Sequence, residues 1–247
     1  MHPVKAVREC AASNCVTEDD IATRTLLLDL DGTLVDSVPD LAAALTRLMQ
    51  SRKLLGFSYA ATAALVGDGA AALVQRAFAA RDATPDANSL ADFLLDYGSN
   101  AAVDSRLYPD VVDTLDRLRE TGWRLAICTN KPEAPARSLL AALGIADRFA
   151  AIGGGDSFWS RKPDPAHLLA TLAAGGGTPD AAVMAGDHAN DVAAARGAGL
   201  SCIFCTWGYG SAAMADGAAA IADRFIELPE IAGHLLGRKL LNKGLNL

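Results

Sequence analysis

The chain has no long apolar run and few of the features that mark membrane or secreted proteins. Its 247 residues contain no stretch approaching the 18 apolar residues of a membrane-spanning helix. Its five cysteines are odd in number and irregularly spaced, which argues against a disulfide framework and favours a reducing compartment. Residues 1–24 lack an apolar stretch of signal-peptide length. We therefore expect a cytoplasmic protein with no membrane partner.

An excess of basic charge is also missing. Lys and Arg together number 22 against 29 for Asp and Glu, so the formal net charge is −7 at pH 7. A net negative charge argues against a nucleic-acid partner, because such partners require a basic surface. The chain is 51% hydrophobic and 21% charged, the balance of an ordinary globular protein. This composition excludes the disordered and fibrous classes.

Short apolar runs alternate with longer segments that have helical character. The runs predicted as buried strands are residues 25–30, 124–128, 149–152, 182–185 and 201–204. The helices predicted between the later runs are residues 111–120, 133–143, 165–174 and 191–198. Because strands and helices alternate, the pattern predicts an α/β fold, a Rossmann-like parallel sheet with right-handed crossovers.

The interval between the first strand and the next helix is too long for one crossover. It is rich in helix-forming residues and is bounded by the turn-prone segments Ser37-Val38-Pro39 and Tyr108-Pro109-Asp110. We therefore predict a helical cap inserted into the core. The predicted organisation is an N-terminal extension of residues 1–24, an α/β core of residues 25–37 and 109–247, and a helical cap of residues 38–108.

Two pairs of acidic residues follow predicted strands. Asp29 and Asp31 leave the first strand on one face, since side chains of a strand alternate with period two. Asp187 ends a later apolar run, and Asp191 lies where the next helix begins. One such acid commonly caps a helix. Four carboxylates at one sheet edge repel one another unless a cation offsets them, so the pattern favours a site for Mg²⁺ with oxygen ligands.

A hydroxyl group and an amine are predicted at the same edge. Thr129 and Asn130 follow the run at 124–128, and Lys162 follows the run at 149–152. Taken singly, Thr129 is explained as a turn residue and Lys162 as a solvated surface charge. Beside carboxylates and a metal, a hydroxyl donor and an ammonium are what a transferring phosphoryl group needs for its charge.

These four motifs, in this order, resemble the haloacid dehalogenase superfamily of aspartate-nucleophile phosphohydrolases. They are Asp-x-Asp-Gly-Thr at 29–33, the Thr129 segment, the Lys162-Pro163 segment and Gly-Asp-x-x-x-Asp at 186–191. The resemblance extends over residues 24–230. It implies that Asp29 attacks phosphorus to form an aspartyl phosphate. It also implies that Asp31 protonates the leaving alkoxide and later activates water.

The same resemblance implies the ligands of the metal and of the phosphoryl group. Mg²⁺ would be held by Asp29, the backbone carbonyl of Asp31 and Asp187, with Asp191 steadying these ligands. The residues expected to bind the phosphoryl oxygens are Thr129, Asn130 and Lys162.

Further segments resemble the phosphoglycolate phosphatase subgroup. They are Val66-Gly67-Asp68-Gly69, Cys128-Thr129-Asn130-Lys131-Pro132, Ile152-Gly153-Gly154 and Thr206-Trp207-Gly208-Tyr209-Gly210. Residue 68 is Asp where the subgroup often has Asn. In the cap we expect Gly69 to contact the substrate. Arg76, seven residues further along the same helix face, is interpreted either as a second substrate contact or as a surface charge.

The sequence therefore predicts a Mg²⁺-dependent phosphatase whose partner is a small phosphate ester, with 2-phosphoglycolate as the expected substrate. A homodimer is left open. The alternatives are a phosphatase for another sugar phosphate or for pyrophosphate, a phosphomutase, and a dehalogenase. A dehalogenase would not need the acid Asp31. A non-catalytic protein of this fold would be expected to lack Asp29 or Lys162, and both are present.

Overall fold

The structure is a computed structural model that describes residues 24–244, so the predicted N-terminal extension, apart from Arg24, lies outside the described residues. The strands are β1 (Thr25–Leu28), β2 (Val35–Asp36), β3 (Arg106–Leu107), β4 (Arg124–Cys128), β5 (Ala151–Gly153), β6 (Ala182–Gly186), β7 (Ser201–Cys205) and β8 (Ala220–Ala222). The helices are α1 (Val38–Ser51), α2 (Tyr59–Ala63), α3 (Ala70–Ala79), α4 (Ser89–Asn100), α5 (Val111–Glu120), α6 (Glu133–Ala142), α7 (Pro165–Ala174), α8 (Ala189–Gly197) and α9 (Leu228–Gly244).

A parallel sheet in the order β5-β4-β1-β6-β7-β8 forms the core. β1 lies in its interior and pairs with β4 on one side and β6 on the other. Leu26 and Leu28 are fully buried in one hydrophobic cluster, whereas Leu27 is fully buried in the cluster on the other face. Strands covered by helices on both faces are apolar throughout rather than alternating. The predicted α/β fold with a parallel sheet is thereby confirmed.

Helices α1–α4, which we call the cap, share a hydrophobic cluster of their own. Leu45 and Met49 of α1 pack with Phe78 of α3 and with Phe93 and Tyr97 of α4. The chain leaves the sheet and returns to it through the antiparallel pair β2-β3. This pair holds the two ends of the insert side by side. The division at residues 38 and 108 stays a prediction.

The turn after β1 ends that strand earlier than the sequence pattern indicates. The carbonyl oxygen of Leu30 accepts backbone hydrogen bonds from Thr33, Leu34 and Val35, which closes a tight turn. Gly32 in this turn has φ +88°, and a Cβ there would collide with the carboxylate of Asp187. Only glycine combines this backbone conformation with this approach. The turn brings the residues after β1 close to those after β6.

The carboxyl-terminal helix α9 packs back onto the sheet. Its Leu228, Ala232 and Leu236 are buried in the same cluster as Leu26. Within residues 24–244, no helix combines the length and the apolar character needed to cross a membrane.

Candidate active site

The candidate active site lies at the carboxyl ends of β4, β1 and β6. Asp29 directly follows β1, Thr129 follows β4 and Asp187 follows β6. The backbone N–H of Asp29 donates to the carbonyl oxygen of Ala185 over 3.0 Å, which continues the pairing of the strands up to the site. Ligands of open α/β sheets gather at this edge. Three of the residues expected from sequence therefore start from neighbouring strand ends.

Asp29, Asp187 and Asp191 form what we call the carboxylate cluster. Each is buried and offers one oxygen, and these oxygens lie within 4.8 Å of one another. The Nζ of Lys162 lies 2.9 Å from Oδ1 of Asp29 and 2.6 Å from Oδ1 of Asp191. Three carboxylates beside one ammonium leave an excess of negative charge in a buried place. A divalent cation with oxygen ligands fits this donor set.

The pKa values of the site reflect the same excess. Burial raises the pKa of Asp187 to about 7, and the charges of Asp29 and Asp191 add to the shift. Burial also raises the pKa of Asp191, although Lys162 opposes the shift. Burial alone lowers the pKa of Lys162, but Asp191 and Asp29 outweigh it and hold the pKa above its ordinary value. The ammonium of Lys162 is therefore charged, but its single positive charge does not balance the three carboxylates.

Hydrogen bonds fix the two carboxylates that come from β6 and α8. Oδ1 of Asp187 accepts from the Thr33 hydroxyl at 2.8 Å, and Oδ2 accepts from the backbone N–H of Tyr209 at 2.8 Å. Oδ2 of Asp191 accepts from the backbone N–H of His188 at 3.0 Å. A carboxylate oxygen that accepts one hydrogen bond keeps a second lone pair. The cluster is thus held in place with coordination sites to spare.

The two oxygens of Asp29 have different surroundings. Oδ1 accepts from the backbone N–H of Leu30 at 2.8 Å and contacts Lys162. For Oδ2, no hydrogen-bond partner exists among residues 24–244. One oxygen is therefore anchored while the other faces the cavity and is free to bond.

Asp31 belongs to the part of the site nearer the cap. Its Oδ1 accepts from the Ser37 hydroxyl at 2.6 Å. The Nζ of Lys131 lies 3.0 Å from Oδ1 and 3.2 Å from Oδ2. Asp29 and Asp31 are thus each paired with a different lysine, and the carboxylate of Asp31 lines the same cavity as that of Asp29.

Two of the three residues expected to bind the phosphoryl group, Thr129 and Asn130, line this cavity. The Thr129 hydroxyl oxygen accepts from the backbone N–H of Lys131 at 3.2 Å. The side-chain amide of Asn130 donates to the carbonyl oxygens of Gly67 and Lys162, each at 2.9 Å. With its amide hydrogens so engaged, Asn130 has only its backbone N–H to offer a phosphoryl oxygen. The sequence pattern did not distinguish these two donors of Asn130.

The two cap residues expected at the site have different positions. Gly69 lines the cavity, and its φ of +85° brings it so near the core that a Cβ would lie 2.8 Å from the carbonyl oxygen of Asn130. Arg76 is exposed, pairs with Asp68 and donates to the carbonyl oxygen of Leu65. The structure thus brings Gly69 to the cavity wall and places Arg76 outside it.

Sequence reasoning missed two functional candidates, Lys131 and Tyr97. The Nζ of Lys131 lies 2.7 Å from the Tyr97 hydroxyl, and both side chains are buried at the cavity. A lysine beside a turn is normally exposed, and Tyr97 fits the apolar face of a helix. The one signal in the sequence that could have indicated Lys131 is its position two residues after Thr129, close to the end of β4.

Comparisons with known proteins agree with this geometry. The model of the haloacid dehalogenase-like hydrolase family matches residues 23–199. The phosphoglycolate phosphatase of Rhodospirillum rubrum is 41% identical over 219 residues, which cover 85% of this chain and 91% of the relative. That of Agrobacterium fabrum is 41% identical over 187 residues, which cover 74% of this chain and 80% of the relative.

A solved structure gives the same result. The crystal structure of a predicted phosphoglycolate phosphatase from Haemophilus somnus is similar with a TM-score of 0.79 at 32% identity. The match covers 84% of this chain and 97% of that chain. The resemblance indicated by the four motifs is therefore confirmed.

Proposed function

The chain belongs to the haloacid dehalogenase-like hydrolase family, and from this premise we propose that it is a Mg²⁺-dependent phosphatase that converts 2-phosphoglycolate to glycolate and phosphate. The observation that carries the proposal is the pair of carboxylates after β1. Asp29 has one oxygen without a partner in the described chain, and Asp31 lines the same cavity. A nucleophile and a separate acid–base group are what hydrolysis through a covalent intermediate requires.

In the first step, Oδ2 of Asp29 attacks phosphorus and the bond from phosphorus to the ester oxygen breaks. Asp31 enters this step in its protonated form and gives the proton to the departing alkoxide, so that glycolate leaves with a neutral hydroxyl group. In the second step, Asp31 takes a proton from water as the water attacks the aspartyl phosphate. Asp29 is released as a carboxylate, and inorganic phosphate leaves.

The neighbouring groups support these roles by position and charge. The backbone N–H of Leu30 and the ammonium of Lys162 hold Oδ1 of Asp29, which orients Oδ2 toward the cavity. Lys162 is also suited to neutralise charge on the phosphoryl oxygens, together with the Thr129 hydroxyl and the backbone N–H of Asn130. Ser37 and Lys131 orient Asp31.

The carboxylate cluster supports a Mg²⁺ site. Asp29 and Asp187, with the backbone carbonyl of Asp31, would hold the ion, and Asp191 would steady them through Lys162 and its own charge. The ion would supply positive charge for the phosphoryl oxygens and keep Asp29 ionised.

The relatives named phosphoglycolate phosphatase support the choice of substrate. The test is release of inorganic phosphate from a panel of phosphate esters in the presence of Mg²⁺, with the Asp29→Asn variant as the control for contaminating phosphatases. We expect 2-phosphoglycolate to give the highest kcat/KM. A higher value for a sugar phosphate or for pyrophosphate would overturn the assignment of the substrate. Isomerised sugar phosphate without free phosphate would indicate a mutase.

Two other expectations are carried forward as part of the proposal. A cytoplasmic location is checked by fractionating cells that express the tagged chain. The homodimer, left open by the sequence, is checked by light scattering of the purified protein.

A further inference from the structure

The cap-facing side of the cavity is apolar except for one cation. Its apolar side chains include Leu41, Leu73, Phe93 and Leu94 from the cap and Pro132 and Pro135 from the core. Among the described residues that line this cavity, Lys131 is the only one with a cationic side chain. We call Lys131, Tyr97 and these six residues the cap-facing wall.

Lys131 is fixed in place on the wall. Its side chain is 4% exposed, and its ammonium contacts both oxygens of Asp31 and the hydroxyl oxygen of Tyr97. The ammonium also lies 4.4 Å from the centroid of the Tyr97 ring, a cation–π distance. Tyr97 in turn stacks on Phe93, with ring centroids 5.9 Å apart. Neither group is free to move to another partner without loss of these contacts.

The hydroxyl group of Tyr97 has a proton to donate. It accepts from Lys131, and within residues 24–244 no acceptor for its own O–H is found. Burial raises the pKa of Tyr97 despite the nearby ammonium, so the proton stays on the oxygen. A buried donor without an acceptor costs stability unless a ligand or water pairs with it. An ammonium and such a hydroxyl group side by side form a donor pair suited to a carboxylate.

The position of Asp31 sets the length of the leaving group. As the acid, Asp31 must come within hydrogen-bond distance of the ester oxygen, and Nζ of Lys131 is 3.0 Å from the same carboxylate. The ester oxygen and the ammonium are thus at most about 6 Å apart. A carboxylate separated from the ester oxygen by one methylene group places its own oxygens about 3 Å from that oxygen. A hydrogen bond to the ammonium covers the rest of the distance.

We propose that Lys131 and Tyr97 form the subsite that binds the carboxylate of the leaving group and thereby select phosphate esters of short 2-hydroxy acids. This inference rests on the proposed function and adds the residues that choose the substrate. It assigns no group to the phosphoryl transfer itself, which stays with Asp29 and Asp31.

The test compares two substrates of equal length, 2-phosphoglycolate and 2-hydroxyethyl phosphate, which differ in a carboxylate against a hydroxymethyl group. For the wild type we expect kcat/KM to favour 2-phosphoglycolate by about 10- to 100-fold, mainly through KM, because a charge-assisted hydrogen bond to a carboxylate is lost with the second substrate. In Lys131→Met we expect this ratio to fall to within about threefold of one. Tyr97→Phe keeps the ring and should lower the ratio by about three- to tenfold.

A matched control is Lys53→Met, which makes the same replacement at an exposed cap position. It should leave the ratio unchanged. A binding measurement in the Asp29→Asn background, by calorimetry with the same two esters, should give the same preference without turnover. Because this background retains Lys131, the calorimetric preference tests the inference even if Lys131→Met does not fold.

The outcomes separate the two proposals. If the wild type hydrolyses both esters with equal kcat/KM, the carboxylate subsite is wrong while the phosphatase assignment stands. If Lys131→Met slows both substrates by the same factor and keeps their ratio, Lys131 only positions Asp31, and the subsite is again wrong. If the wild type with Mg²⁺ hydrolyses neither ester, the proposed function itself fails.

Discussion

The carboxylate cluster and the cap-facing wall lie in one cavity but are built by opposite means. The cluster consists of buried charges that follow strand ends and the start of α8, and backbone or side-chain hydrogen bonds fix it. The wall is mostly apolar, and much of it comes from α1, α3 and α4, which share a separate hydrophobic cluster. The position of the cluster is therefore set by the sheet, whereas that of the wall depends on how the cap docks.

Contacts of a cap loop with the core, at the loop after β4 and at the start of α8, show where this docking occurs. The side-chain amide of Asn130 donates to the carbonyl oxygen of Gly67 at 2.9 Å, and that of Asn190 donates to Oδ1 of Asp68 at 2.6 Å. A Cβ at Gly67 would lie 2.7 Å from the ring of His188. Under the proposed function, the sheet fixes the position of the reacting groups, while the choice of leaving group depends on the cap and its docking.

Replacing the nucleophile should have the largest effect. Asp29→Asn keeps the size of the side chain but cannot attack phosphorus, so we expect kcat to fall at least about 10³-fold with every phosphate ester. The measurement is phosphate release, with circular dichroism to show that the fold survives. Retention of more than a few per cent of wild-type turnover would contradict the assignment of Asp29.

Removal of the metal should also act on the carboxylate cluster rather than on the cap-facing wall. Excess EDTA is expected to lower turnover at least about 100-fold, because the carboxylate cluster then lacks its compensating charge. Added Mg²⁺ should restore activity, whereas Ca²⁺ should bind yet support far less turnover, since its larger shell misplaces the nucleophile. Full activity in EDTA after dialysis would show that the cluster has no catalytic metal.

Replacing the acid should sharpen the distinction between the two steps. Asp31→Asn is expected to slow hydrolysis of an alkyl ester by about 10²- to 10⁴-fold, the usual size of general acid–base help. An ester with an acidic leaving group, such as nitrophenyl phosphate, should lose less in the first step. Single-turnover phosphorylation with both substrates measures this. Equal losses would mean that Asp31 is not the acid.

Replacing Asp68, in the cap loop that contacts the core, should have a small effect on KM. The carboxylate of Asp68 is occupied by Asn190 and Arg76 and does not line the cavity. Asp68→Asn is therefore expected to change KM for 2-phosphoglycolate by less than about threefold, in line with the loss of one exposed ion pair. A drop in KM of tenfold or more would show that Asp68 repels the substrate.

The last prediction concerns the stability of the fold, and it rests on a buried histidine near Lys162. Burial, and then the charge of Lys162, lowers the pKa of His167 from 6.5 to about 4. The unfolded chain takes up the proton first, so this residue's contribution to stability is present above pH 6.5 and is lost as the pH falls to about 4. The expected loss is roughly 2–3 kcal/mol.

The control for that prediction is His167→Gln, which can still accept the hydrogen bond from the backbone N–H of Lys162. Denaturant unfolding of both proteins at pH 7 and pH 4.5 gives the difference. Identical pH dependence of the wild type and the variant would rule out His167 as the source.

The sequence predicted the sheet and the placement of Asp29, Asp187 and Asp191 at one edge, because these depend on local patterns. The fourth carboxylate expected with them, that of Asp31, pairs with Lys131 instead. An apolar run that ends in Asp29 or Asp187 indicates a buried strand and an acid at its carboxyl end. The short elements β2, β3, β8 and α2 were not predicted, since two to five residues carry no periodicity. The strand predicted at 25–30 ends at Leu28 because of the turn around Gly32.

The wall was beyond prediction from one sequence. Lys131 and Tyr97 are separated by a helix end, β3, α5 and β4, and nothing local shows that they meet. Their contact depends on the angle at which the cap lies over the sheet edge, which is set by tertiary packing. For the same reason the sequence could place Arg76 on a helix face but could not show that Asp68 pairs with it.

The central claim is that Asp29 forms the covalent intermediate, and chemical trapping tests it most directly. The protein is mixed with 2-phosphoglycolate and Mg²⁺, quenched and reduced with borohydride. Mass spectrometry then identifies which aspartate has been reduced to homoserine. The account predicts that residue 29 is converted to homoserine in the wild type and that no conversion occurs in Asp29→Asn. Conversion of Asp187 or Asp191 to homoserine would contradict this account.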